Sequence, residues 1–153
     1  MRFFDASALV KRYVRESGTP TVRRALRERQ SAISRLSEAE ISSALARRRR
    51  EGSLSDRQHH RALDALRADL VRLEVVELSP TVVAGVHPLL ERHPLRAADA
   101  LQLSSAMVLQ EALGSALEVV TYDERLHTAA RAEGFRVRPR TLPRTRPRAS
   151  AAR

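Results

Sequence analysis

The chain has 153 residues, 42% of them hydrophobic, which is enough for one domain with a buried core and too short for two ordinary domains. It contains no cysteine, which excludes disulfides, cysteine nucleophiles and thiolate zinc sites. The formal net charge is +10, and Lys11 is the only lysine, so almost all of the positive charge is arginine. An excess of this size favours a polyanionic partner, either a nucleic acid or an acidic protein.

No apolar run approaches the ~20 residues that cross a membrane. The N-terminal residues have the pattern of a strand rather than of a signal peptide. We therefore expect a soluble, cytoplasmic protein that does not contact the membrane.

Short apolar runs alternate with helical patterns, which is typical of an α/β fold with a parallel sheet. The expected strands are residues 2–5, 32–34, 73–78, 118–121 and, at the sheet edge, 135–137. The expected helices are one that carries Leu9 to Val14, and those at 20–29, 37–51, 55–71, 80–90, 96–113 and 123–133. Residues 1–138 are predicted to form one domain with four to five strands. Residues 139–153 are rich in arginine, proline and alanine and are expected to form a basic, flexible tail.

Four acidic residues stand where such a fold would bring them together. Asp5 and Asp123 end apolar runs, while Glu40 and Asp99 lie near the starts of helical patterns. Ligands of open α/β sheets bind outside the carboxyl ends of the strands, and carboxylates gathered there repel one another unless a hard cation joins them. Oxygen-only ligation suits Mg²⁺ or Mn²⁺. The pattern therefore predicts a metal site and, on so basic a chain, metal-dependent cleavage of nucleic acid.

Three of these residues also have a simpler interpretation as helix caps. Asp5 and Asp123 each precede a helical pattern and are good N-cap residues. Ser37 and Glu40 have the spacing of a capping box, which would explain Glu40 without any catalytic role.

Two further questions are which glutamate enters the site and what would balance the charge of Asp99. Glu38 competes with Glu40 for the site, and Glu40 is favoured because it lies closer to the apolar face that Ile41 marks. Asp99 stands among alanines and leucines, where a lone carboxylate is costly to bury. Its simplest partner would be Arg96, one turn earlier.

Basic side chains and histidines contribute less than the acidic residues to the prediction of the site. Phosphate contacts near the mouth of the site are expected from Arg12, Arg47 and Arg96. The histidines show no His-x-x-x-His spacing, so a zinc site is not expected. Four of them are predicted to be surface residues: His59, His60, His87 and His93.

Four motifs carry a resemblance to a known family. They are Asp5-Ala6-Ser7-Ala8-Leu9-Val10, Ala39-Glu40-Ile41, Ala98-Asp99-Ala100-Leu101-Gln102-Leu103 and Val120-Thr121-Tyr122-Asp123-Glu124-Arg125-Leu126. In this order they resemble the acidic motifs of PIN-domain ribonucleases. The length resembles that of VapC-type toxins of bacterial toxin–antitoxin pairs, and the resemblance covers about residues 1–138.

The resemblance implies a three-layer α/β/α fold and an RNA endonuclease that depends on Mg²⁺ or Mn²⁺. It also implies a homodimer and a small antitoxin protein that blocks the site. On the matching positions, Asp5 and Asp99 would be the main metal ligands, and Glu40 and Asp123 would complete the site, partly through water. Ser7 and Thr121 would be supporting groups.

One alternative stays open, which is a catalytically silent RNA-binding or protein-interaction module with the same fold. Such a module would bind RNA without regard to Mg²⁺ and would be insensitive to Asp5→Asn. All four acidic positions are filled, which favours the enzyme.

Overall fold

Five parallel strands form one sheet in the computed structural model, which describes residues 1–143. They are β1 (Arg2–Phe4), β2 (Ser31–Ser34), β3 (Glu74–Val76), β4 (Glu118–Val120) and β5 (Arg136–Arg138). Their order across the sheet is β3-β2-β1-β4-β5. The chain therefore builds outward from β1 in one direction and then in the other, so that the strand order reverses between β1 and β4. The predicted parallel α/β sheet is confirmed.

Helices cover both faces of this sheet. They are α1 (Ala6–Leu9), α2 (Thr19–Glu28), α3 (Arg35–Arg50), α4 (Asp56–Leu70), α5 (Pro80–Ala84), α6 (Val86–Arg92), α7 (Ala97–Leu113) and α8 (Glu124–Ala132). A 3₁₀ turn, Val10–Arg12, extends α1. One buried cluster joins the sheet to α1–α4, and a second joins its other face to α6–α8, with α5 packed on α7. The three-layer α/β/α arrangement that the resemblance implied is confirmed.

Strands β1 and β2 are buried along their whole length because both of their faces are covered. Successive side chains of a strand point to opposite faces. In β1, Phe3 packs in the α6–α8 cluster and Phe4 in the α1–α4 cluster. In β2, Ala32 packs in the α6–α8 cluster and Ile33 in the α1–α4 cluster. A strand buried on both sides is what a parallel sheet between helical layers requires.

The helix expected over residues 80–90 is divided at Gly85 into α5 and α6. Ser104 of α7 donates a hydrogen bond of 2.6 Å to the carbonyl oxygen of Val82, which a continuous helix would use internally. A Cβ atom at Gly85 would come within 2.3 Å of the Ser104 hydroxyl, so the glycine allows this close approach.

The predicted tail at 139–153 begins inside the described region. His127 contacts the carbonyl oxygen of Pro139 through Nε2 at 2.8 Å, which fixes the first tail residue on α8. Residues 144–153, the rest of that tail, lie outside the described residues. Among residues 1–143, no helix is both long and apolar enough to cross a membrane.

Candidate active site

Asp5 directly follows β1 at the carboxyl edge of the sheet and is 4% exposed. It is the N-cap of α1, as the simpler interpretation predicted: its Oδ1 accepts from the Ala8 amide at 3.0 Å and its Oδ2 from the Ser7 amide at 3.2 Å. The Ser7 hydroxyl donates to Oδ1 at 2.9 Å. All three donors are neutral, so the capping contacts orient the carboxylate without cancelling its charge.

Ser7 and Thr121 connect the ends of β1 and β4. The Ser7 Oγ accepts from the Tyr122 amide at 2.8 Å and lies 3.4 Å from the Thr121 Oγ1. The Thr121 Oγ1 in turn accepts from the Asp123 amide at 3.0 Å. These hydroxyls hold the loop after β4 against Asp5, which places Asp123 at the same edge of the sheet.

Glu40 is placed by α3, and the capping box predicted for it is wrong. The N-cap of the helix is Ser34, three residues before the expected Ser37, because β2 runs directly into α3. Ser37 is therefore a buried side chain inside the helix that exchanges hydrogen bonds with Gln102. The Gln102 Nε2 also donates to the Glu40 Oε2 at 2.6 Å, so Glu40 is held towards α7.

Sequence reasoning missed Gln102, which is 2% exposed. It stands three residues after Asp99 in α7, on the same side of the helix, and that spacing was the available signal. The competing candidate Glu38 pairs with Arg35 at 2.9 Å and is turned away from this contact.

Asp99 and Asp123 occupy the first turn of α7 and the N-cap of α8. The Asp99 Oδ2 accepts from the Arg96 backbone amide at 3.2 Å. Within residues 1–143 the Arg96 guanidinium forms no salt bridge with Asp99, so the pairing considered for these two side chains is absent. The Asp123 Oδ1 accepts from the Leu126 amide at 2.9 Å, which is the expected capping contact.

The four carboxylates influence one another electrostatically. Burial, strengthened by the charge of Glu40, raises the pKa of Asp5 to about 7. Burial also raises the pKa of Glu40, and the charges of Asp99 and Asp123 add to the rise. Burial raises the pKa of Asp99, the hydrogen bond from the Arg96 backbone amide opposes the rise, and the charge of Asp123 adds to it. The site is therefore a region of like charge that is partly removed from water.

The absence of salt bridges distinguishes these four residues from the other buried or partly buried acidic residues. Nine acidic residues within 1–143 are buried or partly buried. Five of them form salt bridges with basic side chains: Glu16, Glu38, Asp69, Glu118 and Glu133. The four without such a bridge to any described residue are Asp5, Glu40, Asp99 and Asp123. Buried charge is tolerated when it is paired, so an unpaired group of four indicates a place for a cation.

Comparison with known proteins identifies the family of the chain. Residues 2–132 match the PIN domain. Ribonuclease VapC45 of Mycobacterium tuberculosis is 35% identical over 141 residues, which are 92% of this chain and 96% of that protein.

The chain belongs to the PIN domain family.

Solved structures share the fold of this PIN domain. The Mycobacterium tuberculosis toxin VapC20, described as cleaving the sarcin–ricin loop, superposes with a TM-score of 0.64 at 18% identity, covering 88% of this chain and 96% of that chain. A toxin–antitoxin complex from Klebsiella pneumoniae gives a TM-score of 0.59 at 19% identity, covering 80% and 87%. At these identities the likeness concerns the fold. The predicted resemblance to VapC-type PIN domains is confirmed by the closer sequence match.

The acidic side chains of this PIN domain do not form a preorganised metal-binding site. Within the described residues, no three acidic or histidine side chains converge closely enough to enclose a metal ion as they stand. Each carboxylate instead contacts a neutral donor: backbone amides for Asp5, Asp99 and Asp123, and the Gln102 amide for Glu40. The donor set, four oxygen ligands without a basic partner, fits a hard divalent cation. The side chains must rotate to close around one.

The expectations for arginine and histidine need correction. Arg12 does not lie at the mouth of the site: it pairs with Asp69, near the C-terminus of α4, at 3.3 Å. Arg96 is close enough to Asp99 to affect its pKa, and Arg47 is exposed on α3. The prediction of a surface position is wrong for His59, which is 8% exposed on the inner face of α4.

Proposed function

We propose that this PIN domain is a metal-dependent endoribonuclease and acts as the toxin of a toxin–antitoxin pair. The observation that carries the proposal is the set of four partly buried carboxylates, all at the carboxyl edge of the sheet and all without a basic partner among residues 1–143. The similar Mycobacterium tuberculosis protein, named a ribonuclease, supports the reaction class. The formal charge of +10 supports an anionic substrate.

Asp5 and Asp99 would hold a divalent cation, Mg²⁺ or Mn²⁺, and Glu40 and Asp123 would complete its surroundings, partly through water. When bound, such an ion supplies Lewis acidity and lowers the pKa of water enough to provide a nucleophile at neutral pH. The protein contributes the orientation of the ligands. Ser7 fixes the Asp5 carboxylate, and Thr121 fixes the backbone of Asp123.

Gln102 has a positioning role in this proposal. Its amide holds the Glu40 carboxylate as an acceptor of hydrogen bonds, and Ser37 holds the amide. Outer groups of this kind orient metal ligands and tune their affinity.

The proposed partners are RNA, a small antitoxin protein and a second copy of the chain. The likeness to a chain of a toxin–antitoxin complex supports the antitoxin. The homodimer stays a prediction from the resemblance, and Leu9 of α1 and Leu66 of α4 are buried in the core rather than free to form an interface. Co-purification with an antitoxin candidate, and mass determination in solution, test the two assemblies.

Cleavage of purified total RNA tests the reaction. The parent should produce discrete fragments with Mg²⁺ or Mn²⁺ and none with EDTA. Asp5→Asn should lower the cleavage rate by about 10²- to 10³-fold or more, because it removes one charge from the cation site. The matched control is Asp64→Asn, which removes the charge of an exposed residue on α4 and should cleave like the parent.

Two results would contradict the proposal. Cleavage by Asp5→Asn at the parental rate under metal-replete conditions would show that the acidic site is not the active site. RNA that is bound but stays intact with every metal, by folded protein free of antitoxin, would favour the catalytically silent module.

A further inference from the structure

A second charged region lies at the opposite edge of the sheet. A pocket of about 310 Å³ opens at the amino ends of β2 and β3, where Ser31 and Leu73 form part of its wall. This volume is within the range of small-ligand sites, which begins at about 300 Å³. Five arginines line it: Arg12, Arg23, Arg27, Arg29 and Arg72.

The topology explains why these side chains meet. Helices between parallel strands return the chain to the amino edge of the sheet. Helix α2 ends at Glu28 just before β2, and α4 ends at Leu70 just before β3. The 3₁₀ turn that follows α1 brings Arg12 to the same place. Three segments far apart in the sequence therefore contribute arginines to one concavity.

The charge of this pocket is not balanced by the described residues. Asp69 is the one carboxylate among its lining residues, and it already pairs with Arg12 at 3.3 Å. Arg23 donates to the Arg12 carbonyl oxygen at 3.2 Å. Arg27, Arg29 and Arg72 are exposed and form no salt bridge with any residue of 1–143. Five guanidinium groups against one carboxylate leave four positive charges.

Helix dipoles account for only part of this excess. Cations are favourable at helix C-termini, where the partial charge is roughly −0.5. The two helix ends here, those of α2 and α4, together offset about one positive charge. The remaining positive charges face solvent in a concave site, where they attract an anion.

We propose that this pocket binds a phosphate group, presented by an RNA strand or by a free nucleotide. Guanidinium forks match phosphate oxygens in bidentate pairs, and the apolar side chains of Leu26 and Leu73 give the pocket a surface on which a sugar or base can rest. The site is separate from the acidic one, because it lies at the amino rather than the carboxyl ends of the strands. It holds phosphate without cleaving it.

The test compares two triple variants of the full chain in EDTA, where no metal-dependent cleavage occurs. The pocket variant is Arg27→Ala, Arg29→Ala and Arg72→Ala, three exposed residues without an acidic partner among those described. The matched control is Arg50→Ala, Arg57→Ala and Arg61→Ala, which removes the same charge from exposed positions on α3 and α4 outside the pocket. Circular dichroism establishes that both variants are folded.

Fluorescence anisotropy with a labelled single-stranded oligoribonucleotide, and calorimetry with adenosine 5′-monophosphate, measure binding. The pocket variant should lose about tenfold or more in affinity for at least one probe, and the control less than about threefold. Where the oligoribonucleotide is the ligand, the slope of log affinity against log salt should fall by about 2, because each phosphate contact on a single strand contributes about 0.7. Loss of binding for the mononucleotide would assign the site to free nucleotides, and loss for the oligoribonucleotide alone would assign it to a strand.

Equal losses in the two triple variants would overturn the proposal, since net charge alone would then explain binding. Unchanged binding of both probes by the pocket variant would overturn it as well. The result is independent of the proposed nuclease activity, because binding is measured in EDTA, where no metal-dependent cleavage occurs. A protein that binds through this pocket and never cleaves RNA would contradict only the nuclease.

Discussion

The two ends of strand β1 carry opposite charges at almost equal burial, Arg2 at 3% exposed and Asp5 at 4%. At the amino end, Arg2 pairs with Glu118 at 2.5 Å and Glu28 at 3.0 Å, and it donates to the Ala25 carbonyl oxygen at 2.9 Å. At the carboxyl end, Asp5 receives hydrogen bonds only from neutral groups. The fold neutralises one end of the strand internally and leaves the other end dependent on a cation from outside.

The pKa values of the neighbouring groups follow this difference. Burial opposes ionisation of Glu118, but hydrogen bonds from Arg138 and Arg2 outweigh it and lower the pKa of this carboxyl group. At Asp5 burial prevails over the hydrogen bonds and raises the pKa. A carboxylate that is stabilised by its surroundings is structural, whereas one that is destabilised by them is available to a ligand.

The largest effect on stability should come from removing the ion pairs of Arg2 at the amino end of β1. Arg2→Met leaves Glu118 and Glu28 without their buried partner and should lower the free energy of unfolding by about 3 kcal/mol at neutral pH. Denaturant unfolding measures it. The control Arg24→Met removes an exposed arginine that also contacts Glu28 and should change stability by less than about 1 kcal/mol. Similar losses in both variants would remove the contrast between the two ends.

Asp5→Asn should change the free energy of unfolding in the opposite direction. In EDTA at about pH 8, the substitution removes a buried charge and should raise the free energy of unfolding by on the order of 2 kcal/mol. The gain is smaller than the full cost of the charge, because an amide replaces one of the two acceptor oxygens that Ser7 and Ala8 use. Loss of stability in this variant would mean that the Asp5 charge is already compensated in the metal-free protein.

This gain should depend on pH in a defined direction. The pKa of Asp5 is about 7 in the folded protein against an ordinary value of 3.8, so between these values the folded state binds more protons than the unfolded state. Stability of the metal-free parent therefore falls as pH rises from about 4 to 7, and the difference from Asp5→Asn should grow over that window. The pKa of Glu118 is lowered, so the difference in stability between the parent and Glu118→Gln should have the opposite pH dependence. It should be constant above about pH 5 and should shrink only in more acidic solution.

The smallest effect concerns Gln102. Replacement by methionine removes the donor to Glu40 but keeps the volume, and it should weaken metal binding about tenfold through misplacement of that ligand. Mn²⁺ titration followed by calorimetry measures the change. Gln110→Met is the control, because Gln110 lies in the same helix and contacts the Leu117 amide, away from the site. Equal metal affinities of the parent and Gln102→Met would reduce Gln102 to a packing role.

The sequence was sufficient for the fold and for part of the site. Apolar runs that alternate with helical patterns predicted the parallel sheet, and Asp5 and Asp123 stand out in the sequence because they follow such runs. Glu40 was ambiguous, since the capping-box spacing from Ser37 is local, whereas the actual start of α3 at Ser34 depends on β2. Gln102 and the position of Arg12 depend on contacts between distant segments, which no local pattern contains.

The central claim is that Asp5 and the other unpaired carboxylates form a cation site, and thermal unfolding during a titration with Mg²⁺ or Mn²⁺ tests it most directly. The parent should gain thermal stability progressively with metal concentration, because binding to the folded state alone stabilises it. Asp5→Asn should begin at a higher unfolding temperature in EDTA and should gain little or nothing from either metal. Equal stabilisation of parent and variant by the metal would contradict the claim.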